Sequence, residues 1–235
     1  MRKSFNYGLA VGALVAAGVL GTSAGNATVI PPTVETFFFT SDHCNGGCLT
    51  GQANGGSVTV TDNHTGTLAF DVELANGNQF INGGFDASFG FNLKDNPAIT
   101  YSNIIPPVGV SWTIPGGNPQ SAGSLHMDGT GFFEYGLDAV GNGGSDPQGS
   151  SLKFTIAGTN LDIGDLEANS PQGEYFAADI ISGTTGFTGG IDAHNGDAPP
   201  VPAPGNTLGL LGIGLIATAG AVSWRRRRQQ LPLAA

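Results

Sequence analysis

The residues best placed to do chemistry are two cysteines spaced C-x3-C, Cys44 and Cys48, in Ser41-Asp42-His43-Cys44-Asn45-Gly46-Gly47-Cys48. The paired glycines give this loop the freedom to bring the sulfurs together, so a local disulfide is expected in an oxidising compartment. Closing so small a ring stabilises by only about 2 kcal/mol in the chain-entropy model, which pins a loop without holding a domain. The competing chemistry is a metal site drawn from Asp42, His43, Cys44 and Cys48, and it lacks a second paired-ligand cluster elsewhere in the chain. No metal and no cofactor are therefore expected there.

The remaining polar groups point the same way. Asp162, Asp165 and Glu167 could in principle serve as glycosidase carboxylates, yet acids crowded on a short surface helix are ordinarily just solvated. Asp138, Asn142 and Asp146 flank a glycine loop and could bind calcium through oxygens. Of the four histidines, His64 and His126 sit beside turns, His43 in the cysteine loop and His194 in the linker. None has a partner in view, so each reads as a solvated loop residue. A G-x-S-x-G pattern falls at residues 21–25, inside a secretion signal, and is a chance match. The chain has no G-x-x-x-x-G-K-[ST], no H-E-x-x-H and no EF-hand loop. Catalytic residues are expected to be none, and the protein reads as no enzyme.

The elements that must position these groups are short and β-rich. Apolar segments at 34–40, 57–61, 67–74, 87–93, 108–114, 131–137, 151–157 and 175–182 are separated by turn clusters such as Asn76-Gly77-Asn78 and Pro115-Gly116-Gly117-Asn118. Glycine makes up 39 of 235 residues without a fixed period, which excludes collagen and solenoid folds. The pattern predicts an all-β protein, a single antiparallel β-sandwich, jelly-roll-like, over residues 28–194. Within 67–74, Leu68, Phe70, Val72 and Leu74 share one face and Thr67, Asp71 and Glu73 the other, so this strand has one wet face. The run Phe37-Phe38-Phe39 cannot alternate in that way and is expected to be covered on both sides or to lie beside the proline-rich segment before it. One short helix is expected over 160–168, capped by Asn160.

Both ends of the chain read as addresses. Arg2 and Lys3 precede an apolar run over 9–20 and the small residues Thr22-Ser23-Ala24-Gly25-Asn26-Ala27, the layout of a secretory signal over 1–27. Cleavage is expected after Ala27, with Ala24 the second choice and an uncleaved anchor the alternative. At the other end stand Val201, Pro202, Ala203 and Pro204 within a proline-rich linker over 195–206. An uncharged apolar segment over 207–224 follows, long enough as a helix of about 27 Å to cross a bilayer. Arg225, Arg226, Arg227 and Arg228 then begin a basic tail over 225–235, which holds that end in the cytoplasm. The whole chain is formally −10, but between its ends only Lys94 and Lys153 stand against all 18 carboxylates, which leaves −16. Such a surface repels nucleic acid and anionic lipid, and leaves divalent cations, basic partners or a neutral polysaccharide as possible ligands.

In its proline motif, its glycine- and leucine-rich helix and its arginine block, the tail over 201–228 resembles the PEP-CTERM sorting signal of Gram-negative bacteria. It departs from the family at Ala203, where glutamate usually stands between the prolines, and is similar to the V-P-x-P variants. The resemblance implies export by the Sec machinery, cleavage by signal peptidase, and a transient membrane anchor that an exosortase-type membrane peptidase processes. It also implies a final place at the cell surface or in the extracellular matrix, amid exopolysaccharide and biofilm. The middle of the chain, through Ser41-Asp42-His43-Cys44-Asn45-Gly46-Gly47-Cys48, Phe133-Glu134-Tyr135-Gly136 and Phe176-Ala177-Ala178-Asp179, looks more weakly like the β-rich ectodomains of such proteins, which bring no assigned activity. Two functions follow: a non-enzymatic structural or adhesive surface module, or a carbohydrate-binding or carbohydrate-active one. A pocket with two facing carboxylates, or exposed coplanar aromatics, would favour the second; the scarcity of tryptophan, Trp112 and Trp224 alone, favours the first.

Overall fold

A computed structural model describes residues 30–169 and 173–194. The secretion signal, the motif Val201 to Pro204, the apolar segment 207–224 and the arginines Arg225 to Arg228 lie outside the described residues. Every described element belongs to the unit that begins at Pro31. Among the described residues no helix is long and apolar enough to cross a membrane.

The described residues form an all-β, antiparallel domain. Its strands run β1 (Thr33–Asp42), β2 (Gly56–Asp62), β3 (Thr67–Leu74), β4 (Gln79–Phe80), β5 (Phe89–Leu93), β6 (Thr100–Ile105) and β7 (Trp112–Thr113), followed by β8 (Leu125–Met127), β9 (Gly131–Phe133), β10 (Tyr135–Ala139), β11 (Ser151–Ala157), β12 (Leu166–Glu167), β13 (Glu174–Ile181) and β14 (Thr188–His194). Twelve of them form one large sheet in the order β6-β11-β3-β2-β1-β14-β13-β5-β10-β7, with β12 beside β5 and β4 beside β13. The separate hairpin β8-β9 forms a second sheet.

The long strand β1 turns the sheet back on itself. Its residues Thr33 to Phe38 pair with β2, and from Phe39 onward its end pairs with β14, with a register shift between Phe39 and Ser41. One strand thus serves two half-sheets, and their apolar faces meet around a core of phenylalanines. Phe70 of β3 lies 5.3 Å from Phe91 of β5 and 6.1 Å from Phe176 of β13, ring centre to ring centre. Phe154 of β11 stacks on Phe70 at 4.6 Å and meets Phe89 of β5 edge-on at 5.9 Å. The sheet is therefore nearly closed, like a barrel flattened around aromatic rings.

The alternation read in residues 67–74 is present: Leu68, Phe70, Val72 and Leu74 are buried, and Glu73 is exposed. The phenylalanine run differs from expectation, because Phe37 and Phe39 are buried while Phe38 is only partly so. The strand alternates after all; an aromatic ring is large enough for Phe38 to be half covered on the outer side. The helix expected over 160–168 is a single 3-10 turn, Ile163–Asp165, followed directly by β12. Asn160 takes a left-handed φ of 55° and does not cap it; Asp162 does, in a capping box with Asp165. The strand expected over 108–114 shrinks to β7, since Gly109 carries a left-handed φ of 84° just after Pro106 and Pro107.

Candidate functional site

The half-sheet of β5, β13 and β14 is covered on both faces. Its inner face, with Phe176, Ala178, Ile180, Ile191 and Ala193, belongs to the main core. Across its outer face lies the β8-β9 hairpin, whose Met127 and Phe133 pack with Ala87 and Ala177 as a small second core. Glycines permit the close approach: a Cβ on Gly90 would collide with the Met127 sulfur and stand 2.9 Å from the Phe133 ring, and one on Gly190 would strike the Asp128 carbonyl. Polar residues that point outward on these strands are therefore sealed in.

Three carboxylates are caught there. Asp192 is fully buried and Glu174 is 1% exposed. Residues 192 and 194 share a strand face, and Glu174 stands opposite His194 in the β13-β14 register, so these groups meet at one end of the hairpin. His43 follows β1, anchored by its backbone N–H donating to the Gly190 carbonyl at 3.0 Å. Its Nε2 contacts Asp192 Oδ2, lies 3.7 Å from Glu174 Oε1 and is 3.2 Å from Ser41 Oγ. His194 Nδ1 lies 2.9 Å from Asp192 Oδ1, and Asn169 Nδ2 donates to Glu174 Oε2 at 3.3 Å. Neither oxygen of Asp192 accepts a well-aligned hydrogen bond; each faces an imidazole nitrogen. Burial, and then the neighbouring Asp192, pushes the Glu174 carboxyl up to about 7. Ser41, His43 and Asp192 do not form a nucleophilic triad, since serine and aspartate contact the same imidazole nitrogen and a proton relay needs opposite ones.

The third carboxylate, Asp179, is fully buried at the other end of the hairpin's footprint and presses against Gly83, whose missing side chain makes room for it. Neither of its oxygens accepts a well-aligned hydrogen bond. Burial first, then the charge of Asp128, pushes it up to about 7, against the easing effect of the Gly83 and Ile180 backbone.

The cysteine loop is a different site from the one its sequence suggests. Cys44 and Cys48 form a disulfide pair with Cα atoms 5.5 Å apart. Asp42 organises the loop: Oδ1 accepts the N–H of Cys44 at 3.0 Å and of Cys48 at 3.1 Å, and Oδ2 accepts that of Leu49 at 2.7 Å. The four-residue metal set does not assemble, because Asp42 faces the cysteines while His43, its neighbour along the chain, faces Glu174 and Asp192. His194 is the last residue of β14 and not part of a linker. Asp138 turns its oxygens to Ser88 Oγ at 2.8 Å and Asn82 Nδ2 at 3.1 Å, away from any joint site with Asn142 and Asp146. Asp162 and Asp165 are engaged in capping the 3-10 turn: Asp162 Oδ1 accepts the Gly164 N–H at 2.7 Å, and Asp165 Oδ2 accepts the Asp162 N–H at 2.9 Å.

Glu167 instead lines a pocket of about 310 Å³ together with Glu134, Asn92, Asn169, Ser124 and Phe132. Burial raises the Glu134 carboxyl above its ordinary range, with Glu167 adding to the effect and bonds from Asn96 and Leu93 opposing it. Phe132 is 57% exposed and its ring lies 4.8 Å from His126, which in turn meets Phe85 at 4.9 Å. This surface run of rings is tilted and edge-on, not coplanar. Sequence reasoning missed Glu134 and Phe132 as site residues, along with Glu174, Asp179 and Asp192. The spacing of Asp192 and His194 on one strand face was the available signal for the last of these. No family model, no curated protein and no solved structure matches the chain.

Proposed function

We propose that this chain is an exported surface or matrix protein whose β-domain acts without catalysis, as an adhesive module for exopolysaccharide. Residues 1–27 direct it through the Sec machinery to signal peptidase, and the tail from Val201 to Arg228 hands it to an exosortase-type peptidase of a Gram-negative envelope. The domain has the sandwich character of a jelly-roll-like fold, in keeping with two half-sheets packed face to face around the phenylalanine core. The observation that carries the adhesive reading is the acidic pocket beside exposed rings. Asn92, Asn169, Glu134 and Glu167 offer hydrogen-bond partners for hydroxyl groups, while Phe132 supplies an apolar face against which a sugar ring can lie. The test is co-sedimentation with exopolysaccharide from the host: Phe132→Ala and Glu167→Gln should release the protein into the supernatant, and retention of both would remove the pocket from the account.

A second reading, hydrolysis, is favoured by one feature, the presence of Glu134 and Glu167 in the same pocket, with the Glu134 carboxyl raised as an acid catalyst requires. The adhesive reading predicts no new reducing ends when polysaccharide is incubated with the protein. Reducing ends that disappear in Glu134→Gln would establish the hydrolase instead.

A further inference from the structure

The cluster at His43 has a geometry that one proton cannot satisfy. Two carboxylate oxygens, from Asp192 and Glu174, converge on the single nitrogen Nε2 of His43, which carries at most one hydrogen, while the Ser41 hydroxyl beside it brings its own. Both carboxylates are sealed from water, and the two oxygens of Asp192 lack well-aligned hydrogen bonds. The described residues include only two lysines; Lys153 is committed to Asp71 and Glu73 on the opposite half-sheet, and Lys94 is exposed. The imidazole nitrogen and one oxygen from each acid all lie within 4.8 Å of one another. Ligand atoms around a tetrahedral zinc ion with bonds of about 2.0 Å stand about 3.3 Å apart, near the 3.7 Å between His43 Nε2 and Glu174 Oε1.

We propose that His43, Glu174 and Asp192 form a binding site for a divalent transition-metal ion of the zinc class. The donors are one imidazole nitrogen and two carboxylate oxygens, a set that suits zinc better than calcium, which takes oxygen ligands in larger number. Glu174 Oε2 is held from outside by Asn169, the arrangement that orients ligands in metal sites, and His194 Nδ1 stands 2.9 Å from Asp192 Oδ1. His43 is 31% exposed, so the fourth position opens to solvent water. The ion ties the exit of β1 to the open end of the β13-β14 hairpin. This site borders the sugar pocket, with Asn169 between the two, but none of its three ligands lines that pocket.

The experiment uses protein purified from its host, stripped with chelator, desalted and titrated with Zn²⁺ by calorimetry. One equivalent should bind, and Tm should rise with zinc and fall back with EDTA. His43→Ala, at a half-exposed position, should keep its circular dichroism spectrum and bind zinc more than about 100-fold more weakly; Asn169→Ala, which holds a ligand from outside, should lose about 10-fold. Phe132→Ala should bind zinc normally, which separates this proposal from the polysaccharide reading. Stripped wild-type protein that takes up no zinc would overturn the proposal, as would a His43→Ala variant that folds and binds like the wild type. Were His43→Ala unable to fold, Co²⁺ loaded into the wild type decides the matter: intense visible bands of a four-coordinate nitrogen-oxygen site support it, and their absence contradicts it.

Discussion

In β2, β3 and β11 every second residue faces outward and is at least partly wet, whereas β5, β13 and β14 are buried almost without interruption. Both half-sheets share one core, and Phe70 and Phe176 meet within it. They differ in what lies behind them. Behind β3 and β11 is water, and the charges there, Lys153 with Asp71 and Glu73, pair at the surface. Behind β13 and β14 are the β8-β9 hairpin and its apolar seal, so carboxylates at equivalent outward positions are stripped of water. A covering hairpin thus turns ordinary outward residues into groups with unmet electrostatic demands, and that is where chemistry concentrates.

The sharpest contrast is on β3. Phe70→Ala should lower stability by about 3 to 5 kcal/mol, because its neighbours Phe154, Phe91 and Phe176 cannot close the cavity. Asp71→Ala, one residue away, should change it by under about 1 kcal/mol, since an exposed ion pair contributes little. Equal small effects in chemical denaturation would break the reading of a wet-backed half-sheet.

On the covered half, the expected signature is pH dependence. Asp179 keeps its proton up to about 7 in the folded protein, while an unfolded aspartate loses it near about 3.9. Between those values the folded state binds more protons, so stability falls as pH rises, by at most about 4 kcal/mol. Glu174 acts in the same sense. Asp179→Asn should therefore be more stable than wild type at pH 8 and show a flatter profile from pH 4 to 7; parallel profiles would contradict it.

Smaller still, Gly90→Ala should cost about 1 to 3 kcal/mol, because the new methyl must push Met127 and Phe133 off the sheet. A neutral outcome in thermal melts would mean that the hairpin does not seal this face. Replacing Cys44 and Cys48 by serine should cost about 2 kcal/mol and leave the strands folded, with far-ultraviolet circular dichroism as the check.

The contrast also explains what could be read in the sequence. Residues 67–74 were legible because a strand with one wet face alternates visibly. Strand β14 was not, for it begins Thr188-Gly189-Gly190, and these glycines resemble a turn although they serve close approach to Cys44 and Asp128. A strand covered on both faces also loses the period that would announce it. The disulfide pair was legible as local chemistry. His43 was misassigned to that loop because its true partners, Glu174 and Asp192, reach it only through the partner switch of β1 and the β13-β14 register.

We propose that this acidic domain is delivered to the outside and left there, its tail serving as an address. Mass spectrometry of the mature protein in surface material from its native host tests that most directly. The account predicts a chain that begins near Thr28 and ends near Pro202 to Gly205, with no peptide containing Trp224. Recovery of peptides containing Trp224 from that material would show a permanent anchor and contradict the sorting claim.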